Sequence, residues 1–254
     1  MNKDSLEKMM RMRLLGMHQA FKSCIESGKT ENFTNDEMVH HLVQNEWDDR
    51  QHRALQRGLK NANFRYSASV EQLDYSENRG LDKNHVQRLA TCDFIKKAED
   101  LFITGSTGTG KNFLASALGQ QACLMGHKVL YTNTAKLMSH LKMAKADGAH
   151  LKELSKIEKQ DVLILDDFGV QPFDAGSRTL LLDIIEDRHG KRSTIITAQV
   201  PVKKWHEVIG EKTIADAIMD RIVHGSIRIE LYGESLRKKQ KAHTNSITNM
   251  ESIL

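Results

Sequence analysis

Glu99-Asp100-Leu101-Phe102-Ile103-Thr104-Gly105-Ser106-Thr107-Gly108-Thr109-Gly110-Lys111-Asn112 reads as a buried strand that runs into a glycine-rich loop. Leu101 to Ile103 form the apolar run, and a helical pattern begins at Phe113, Leu114, Ala117 and Leu118. Strand, loop and helix in this order turn a G-x-x-x-x-G-K match into a phosphate-loop expectation. Glycines let backbone N–H groups face phosphate oxygens, and the helix N-terminus adds positive potential. The candidate cradle is Gly105, Ser106, Thr107, Gly108, Thr109, Gly110, Lys111, Asn112 and Phe113, with Lys111 reaching the β- and γ-phosphates. One position departs from the pattern. Ser or Thr normally follows the lysine, and its hydroxyl binds Mg²⁺. Asn112 offers a carboxamide oxygen on a longer side chain. The departure predicts that nucleotide binding survives better than metal placement and hydrolysis.

Val162-Leu163-Ile164-Leu165-Asp166-Asp167 is the second decisive run: a buried strand with two carboxylates at its C-terminal end. Open α/β sheets bind their ligands at that end of their strands. Asp166 fits a metal-organising carboxylate, which makes Asn112 and Asp166 the candidate Mg²⁺ positions; Asp167 fits the residue that polarises an attacking water. Ser193 to Ala198 is a β-branched strand, and Gln199 beyond it can sense a γ-phosphate or hold the water. Val129 to Thr132 and Ile227 to Leu231 are further strands. Helices are expected over 83–97 (capped by Asp82), from a Thr134 cap to Met143, and from an Asp174 cap to His189. Two more follow, a short one at Trp205 opened by Pro201, and Ile214 to Val223 capped by Thr213. The polar, lysine-rich stretch 144–160 carries no element in this reading. The class is α/β.

In the N-terminal part, residues 5–26 read as one helix, because Met10, Leu14, Met17, Phe21 and Cys24 step by four and three along one seam. Such a seam either packs in a small bundle or fills a partner's groove. Thr34-Asn35-Asp36-Glu37 is a capping box, so a long helix follows to about Ala62. Its second half places Leu55, Leu59 and Ala62 on one face and Arg50, Arg53, Arg57 and Lys60 on another. The cation row suits DNA phosphates or, with Asp48 and Asp49 beside it, a solvated face. Residues 64–80 are polar and read as linker. The plan is a helical domain over 1–65, a linker and lead-in helix over 66–98, an α/β domain over 99–242 and a polar tail over 243–254.

The chain of 254 residues is 39% hydrophobic and 28% charged, which describes a soluble globular protein. No apolar run approaches a membrane span, and Met1-Asn2-Lys3-Asp4 lacks a signal-peptide layout. Cys24, Cys92 and Cys123 match no zinc or redox spacing, so a reduced cytoplasmic setting is expected. The formal net charge is +4, and the first hundred residues hold equal numbers of basic and acidic groups. The excess therefore lies with the nucleotide-binding part and is compatible with a polyanion partner.

The order of phosphate loop, Asp-Asp strand, polar-ended strand, Asp220-Arg221 helix and Gly233-x-Ser235-x-Arg237 resembles the AAA+ group. That group holds the bacterial helicase loaders and the IstB-type helper ATPases of insertion sequences. The resemblance is nearer to IstB, through "IITAQVPVKKWHEVIG" at 195–210, "TIADAIMDRIVHGSIRIELYGESLRKK" at 213–239, "LLGMHQAF" at 14–21 and "FRYSASVEQLDY" at 64–75. It implies an AAA+ P-loop NTPase with a parallel sheet flanked by helices, preceded by a small all-α domain. It further implies a bacterial, cytoplasmic ATPase that uses ATP and Mg²⁺, binds duplex DNA as a head-to-tail homo-oligomer, helps choose the insertion target and stimulates a partner transposase. Carried over by motif, Lys111 and its loop hold phosphates, and Asp166 and Asp167 serve Mg²⁺ and water. Gln199 is the first sensor, Arg221 the arginine finger for a neighbouring subunit, and Arg237 the second sensor. On residues alone, Arg221 is equally a surface arginine and Arg237 the start of a basic run with Lys238, Lys239 and Lys241. Two other roles fit the same motifs: loading a replicative helicase, and a nucleotide-gated scaffold with negligible turnover.

Overall fold

A computed structural model describes residues 2–28, 33–75 and 79–236. The chain divides into two compact units, Met1–Arg57 and Gly58–Leu254. In the first, two helices, α1 (Asn2–Arg11) and α2 (Leu15–Glu26), replace the single helix expected over 5–26. Arg13 adopts φ +59°. Its N–H bonds the Met10 carbonyl at 3.0 Å, and the Leu14 N–H bonds that of Met9 at 2.9 Å. A left-handed residue thus closes α1. Apolar spacing cannot register the break, because Met10 and Leu14 remain four apart.

The long helix α3 (Asn35–Ala62) starts at the capping box. Thr34 donates its backbone N–H and its hydroxyl to Glu37 Oε2 at 2.8 and 2.9 Å, and the Glu37 N–H returns to Thr34 Oγ1 at 3.3 Å. On the same helix Glu46 is buried and accepts the N–H groups of Gly16 and Met17 at 2.8 and 3.2 Å, satisfying two orphan donors at the start of α2. Gly16 lies so close to Asn45 and Glu46 that a β-carbon there would collide with their backbone.

The second unit is built on one parallel sheet of β1 (Leu101–Gly105), β2 (Val129–Asn133), β3 (Val162–Phe168), β4 (Ser193–Ala198) and β5 (Ile227–Leu231), in the order β2-β3-β4-β1-β5. Its helices are α4 (Lys83–Ala90), α5 (Asp93–Lys96), α6 (Lys111–Leu124), α7 (Thr134–Ala146), α8 (His150–Glu158), α9 (Ala175–Arg188), α10 (Trp205–Ile209) and α11 (Lys212–Val223). The expected 83–97 helix is split at Cys92, which takes φ +59°. Asn133, not Thr134, caps α7 by accepting the Lys136 N–H at 3.2 Å, because the Thr134 hydroxyl is engaged with the Asp166 carbonyl at 2.9 Å. Glu211, not Thr213, caps α11 by accepting the N–H groups of Thr213 and Ile214 at 3.0 and 2.8 Å. The lysine-rich stretch 144–160 contains α8, whose Ile157 is buried. No helix among the described residues is long and apolar enough to cross a membrane.

The central strands are apolar on both faces, as parallel strands covered by helices must be: Leu101, Phe102, Ile103 and Val162 to Leu165 are wholly buried. Trp205 is also wholly buried, its ring 4.8 Å from that of Phe102 and 4.7 Å from that of Phe168, and its Nε1 donates to the Val200 carbonyl at 2.8 Å. The Trp in the 195–210 stretch is therefore a core anchor for the loop that follows β4.

Arg188, at the end of α9, is 1% exposed. Its guanidinium donates to the carbonyls of Ile157 (3.1 Å), Gln160 (2.9 Å) and Ser193 (2.5 Å) and to Thr194 Oγ1 (3.2 Å). One side chain thereby joins α9, the end of α8 and the start of β4. Arg188→Ala removes all of these buried contacts at once and is expected to cost roughly 3 kcal/mol or more. Arg188→Lys keeps the charge but loses the fork and should recover little of this. Urea unfolding of both variants checks it; a lysine variant as stable as the parent would show that charge alone suffices.

Candidate nucleotide site

The strand order explains the site's location. β4 lies between β1 and β3, so the loop after β1, the residues after β4 and the acidic end of β3 converge at one edge of the sheet. In the loop, Gly105, Gly108 and Gly110 all have positive φ. At Gly108 the need for glycine is steric as well, since a β-carbon would strike the Ser235 side chain. The Leu236 N–H donates to the Gly108 carbonyl at 3.0 Å, so the segment after β5 backs the loop. Lys111, the first residue of α6, is buried and donates to the Ser106 carbonyl at 2.7 Å. Thr109 donates to the same carbonyl at 2.9 Å. Thr107 donates to Gln199 Oε1 at 2.9 Å, which brings the expected sensor to the loop.

Asp166 is the centre of the polar network and is 1% exposed. Its Oδ1 accepts the Thr197 hydroxyl at 2.5 Å and the Asp167 N–H at 2.9 Å. Its Oδ2 accepts the Tyr131 hydroxyl at 2.5 Å, Asn112 Nδ2 at 3.0 Å and Arg65 Nη1 at 3.3 Å. Burial, and then the hydrogen bond to Asp166, push the Tyr131 phenol far above its ordinary value, so it remains a donor throughout neutral pH. A carboxylate has about four lone-pair sites, and these five donors fill them. The donor set therefore does not fit a metal ion coordinated directly by Asp166. Asn112, the other candidate metal position, turns its amide nitrogen toward the same oxygen. Among the described residues no cluster of three or more His, Cys, Asp or Glu could hold a metal.

Successive residues of a regular strand face opposite ways, yet Asp166 and Asp167 both reach Arg65 Nη1, at 3.3 and 3.4 Å. The reason is local. Asp167 takes φ +55°, and the β3–β4 register shifts between Leu165 and Phe168. This bulge re-aims the second carboxylate, which also accepts Asn133 Nδ2 at 3.3 Å.

A cavity of about 350 Å³ opens in front of these groups. It is lined by Thr107, Gly108, Gly110, Lys111, Asn112, Phe113, Asp167 and Gln199, together with Arg65, Tyr66 and Leu236. Sequence reasoning put Arg65 and Tyr66 in a linker. The stretch instead belongs to the second unit, with the Phe64 ring 6.2 Å from that of Tyr131 and the Tyr66 carbonyl accepting Gln120 Nε2 at 2.7 Å. An Arg-Tyr pair in a polar stretch was the sole available signal.

The remaining candidates lie elsewhere. Arg221 does not line the cavity; it donates to Glu186 Oε1 and to the Ala217 carbonyl, each at 2.7 Å. Arg237, Lys238, Lys239 and Lys241 lie outside the described residues, as does the 243–254 tail. On α3, Arg50 pairs with Glu46 at 2.6 Å and Arg53 with Asp49 at 2.7 Å, whereas the Arg57 Nε donates to the Arg53 carbonyl at 3.2 Å; Lys60 is exposed near the helix end.

Comparison with known proteins gives this arrangement a family. The sequence model of the IstB-like ATP binding proteins matches residues 7–244. The chain belongs to this IstB-like family. An insertion-sequence ATP-binding protein of Sinorhizobium fredii is 42% identical over 237 residues, covering 93% of this chain and 97% of the relative. The ATP-binding protein of insertion sequence IS21 from Pseudomonas aeruginosa is 30% identical over 238 residues, covering 94% and 90%. Among solved structures, DnaI aligns with a TM-score of 0.56 at 23% identity, over 66% of this chain and 90% of that one. AMPPCP-bound DnaA of Aquifex aeolicus aligns with a TM-score of 0.57 at 18% identity, over 68% and 52%. These likenesses establish the AAA+ P-loop fold of the second unit. In this IstB-like chain the stretch around "LLGMHQAF" owes its glycine to the close approach of α2 to α3, and "QVPVKKW" owes its tryptophan to the core.

Thr197→Val and Tyr131→Phe each remove one hydroxyl from Asp166 at nearly constant volume. Each should destabilise the second unit by about 1–3 kcal/mol, the cost of depriving a buried charged group of a donor. Thermal unfolding checks this, and an unchanged melting temperature in both would mean that Asp166 does not depend on these donors.

Proposed function

We propose that this chain is the ATP-dependent, DNA-binding helper of an insertion-sequence transposase, acting as a head-to-tail oligomer that remodels target DNA and stimulates its partner. The observation that most supports the reading is the convergence of the glycine loop, Lys111, Asp167 and Gln199 on one cavity, in a chain related along nearly its whole length to insertion-sequence ATP-binding proteins. In this reading the ATP phosphates take the N–H groups of Gly105 to Phe113, and Lys111 exchanges the Ser106 carbonyl for β- and γ-phosphate oxygens. Asp167 orients the water, and Gln199 registers the γ-phosphate through the loop hydroxyl it already holds. Hydrolysis would be slow, because Asn112 lacks the hydroxyl that would hold a magnesium ion accompanying the triphosphate. Arg237 is the second sensor. Arg221 leaves Glu186 to reach the nucleotide of the next subunit, which makes ATP part of the interface. The helicase-loading alternative has less behind it, since the solved loaders share the fold at 21–23% identity.

DNA would be gripped by several subunits at once, so that weak phosphate contacts sum to a stable complex. Arg50 and Arg53 already hold carboxylates, so the α3 row contributes less charge than its four cations suggest. Affinity for non-specific duplex should still fall steeply with salt.

Lys111→Ala is expected to weaken ATP binding roughly 10- to 100-fold, the worth of a lost charge-assisted contact. Titration with a fluorescent ATP analogue reads this, and unchanged affinity overturns the phosphate-loop assignment. Arg221→Ala should keep nucleotide affinity in the isolated subunit within about threefold, because a trans finger acts on the neighbour's site, and should lose ATP-dependent assembly and stable duplex complexes. Light scattering with and without duplex decides it: parental assembly by the variant removes the trans role. Duplex-stimulated turnover that is absent from Lys111→Ala, and that rises further with the partner transposase, is the outcome that separates a transposition helper from a passive scaffold.

A further inference from the structure

Residues 63–66 deliver a cation into the nucleotide site, and their delivery is built rather than incidental. Asn63 ends α3 with φ +58°. The next residue, Phe64, packs edge-on against Tyr131 and lies against Gly119 of α6, where a β-carbon would collide with its ring. Tyr66 is held by its carbonyl to Gln120. With both neighbours fixed on α6 and β2, Arg65 extends into the cavity, where its Nη1 lies 3.3 Å from Asp166 and 3.4 Å from Asp167. Its guanidinium carbon stands 5.7 Å from the Tyr66 ring, a further restraint on the side chain.

This cation stands at both of the carboxylates that the phosphate-loop pattern would offer to a divalent metal. A metal drawn to the two carboxylates meets a like charge already between them, and at Asp166 it also meets a full set of donors. The chain departs from the phosphate-loop pattern at the metal's other usual ligand, Asn112, and the amide nitrogen there donates to the same Asp166 oxygen. The two departures agree: the chain lacks the metal-binding hydroxyl and supplies an arginine. Guanidinium groups bind phosphate oxygens as readily as carboxylates and with the same planar fork. Arg65 and Lys111 line one cavity, so a triphosphate on the loop would meet two cations there.

We propose that Arg65 is the built-in counter-cation of the nucleotide site, doing at Asp166 and Asp167 the charge neutralisation that a protein-bound metal does in other phosphate-loop sites, so that this chain binds ATP with or without a divalent ion. The inference rests on the ATP reading of the site given above. Its test is the equilibrium affinity for a fluorescent ATP analogue, measured in MgCl₂ and again in EDTA, for the full-length chain and for Arg65→Gln, Arg65→Lys and Lys111→Ala. The parent should change less than about threefold between the two conditions, whereas Arg65→Gln should bind at least about tenfold more weakly in EDTA than in MgCl₂, as expected for a lost charge-assisted contact. Arg65→Lys, which keeps the charge without the fork, should fall between them. Melting curves establish that each variant is folded, and if the glutamine variant is not, the lysine variant carries the comparison. A parent that loses more than about threefold in EDTA overturns the proposal, as does a folded Arg65 variant with the parent's metal response. Undiminished binding by Lys111→Ala, or none by the parent, overturns the ATP reading instead.

Discussion

A buried carboxylate that must be hydrogen-bonded is the constraint on which the second unit depends. An ionised group removed from water is tolerated only when protein donors replace the lost solvation. Asp166 takes its donors from β2 through Tyr131, from α6 through Asn112, from β4 through Thr197, from its own strand through the Asp167 N–H and from the segment after α3 through Arg65. These donors stand up to 101 positions from Asp166 in sequence. Satisfying one side chain therefore sets the mutual positions of strands, phosphate-loop helix and linker, and the site is preorganised because the fold requires it to be.

The loop itself is shaped from behind. Gly108 has no β-carbon because Ser235 occupies that space, and Leu236 holds the Gly108 carbonyl. The loop and the segment after β5 are thus in direct contact at Gly108. On the other side, Trp205 pins the chain after β4 to the core, so Gln199 meets Thr107 at a fixed place. A ligand entering this cavity encounters groups whose positions are decided by packing, which lowers the ordering cost of binding.

The charges divide into those spent inside the chain and those still facing outward. Arg188 is committed to carbonyls, Arg50 and Arg53 to carboxylates of their own helix, and Arg65 to the acidic pair. Arg221 holds Glu186 through a half-exposed pair, a contact of the kind worth about 1 kcal/mol or less. Such a pair can be exchanged for a stronger partner at little cost. The same sequence of positive charges therefore contains structural, neutralising and exchangeable members, and only their surroundings distinguish them.

The sequence by itself determined what short-range physics encodes. Glycine spacing before Lys111, the apolar run ending in Asp166-Asp167, the β-branched run before Gln199 and the Thr34-Glu37 box each depend on neighbours within a few residues, and each stands where it was read. Tertiary structure decided the rest. Arg13, Cys92 and Asp167 adopt left-handed backbone without being glycine, and no local pattern announces that; it broke two expected helices and turned two successive carboxylates toward one guanidinium. Thr134 lost its cap to Asn133 because a distant carbonyl claimed its hydroxyl. Arg65 looked like a linker residue because its partners lie a hundred positions away. Periodicity and caps report hydrogen bonds that a segment makes with itself, while the identity of a site's charges depends on which segments the sheet order brings together, and that is fixed only when the chain closes on its core.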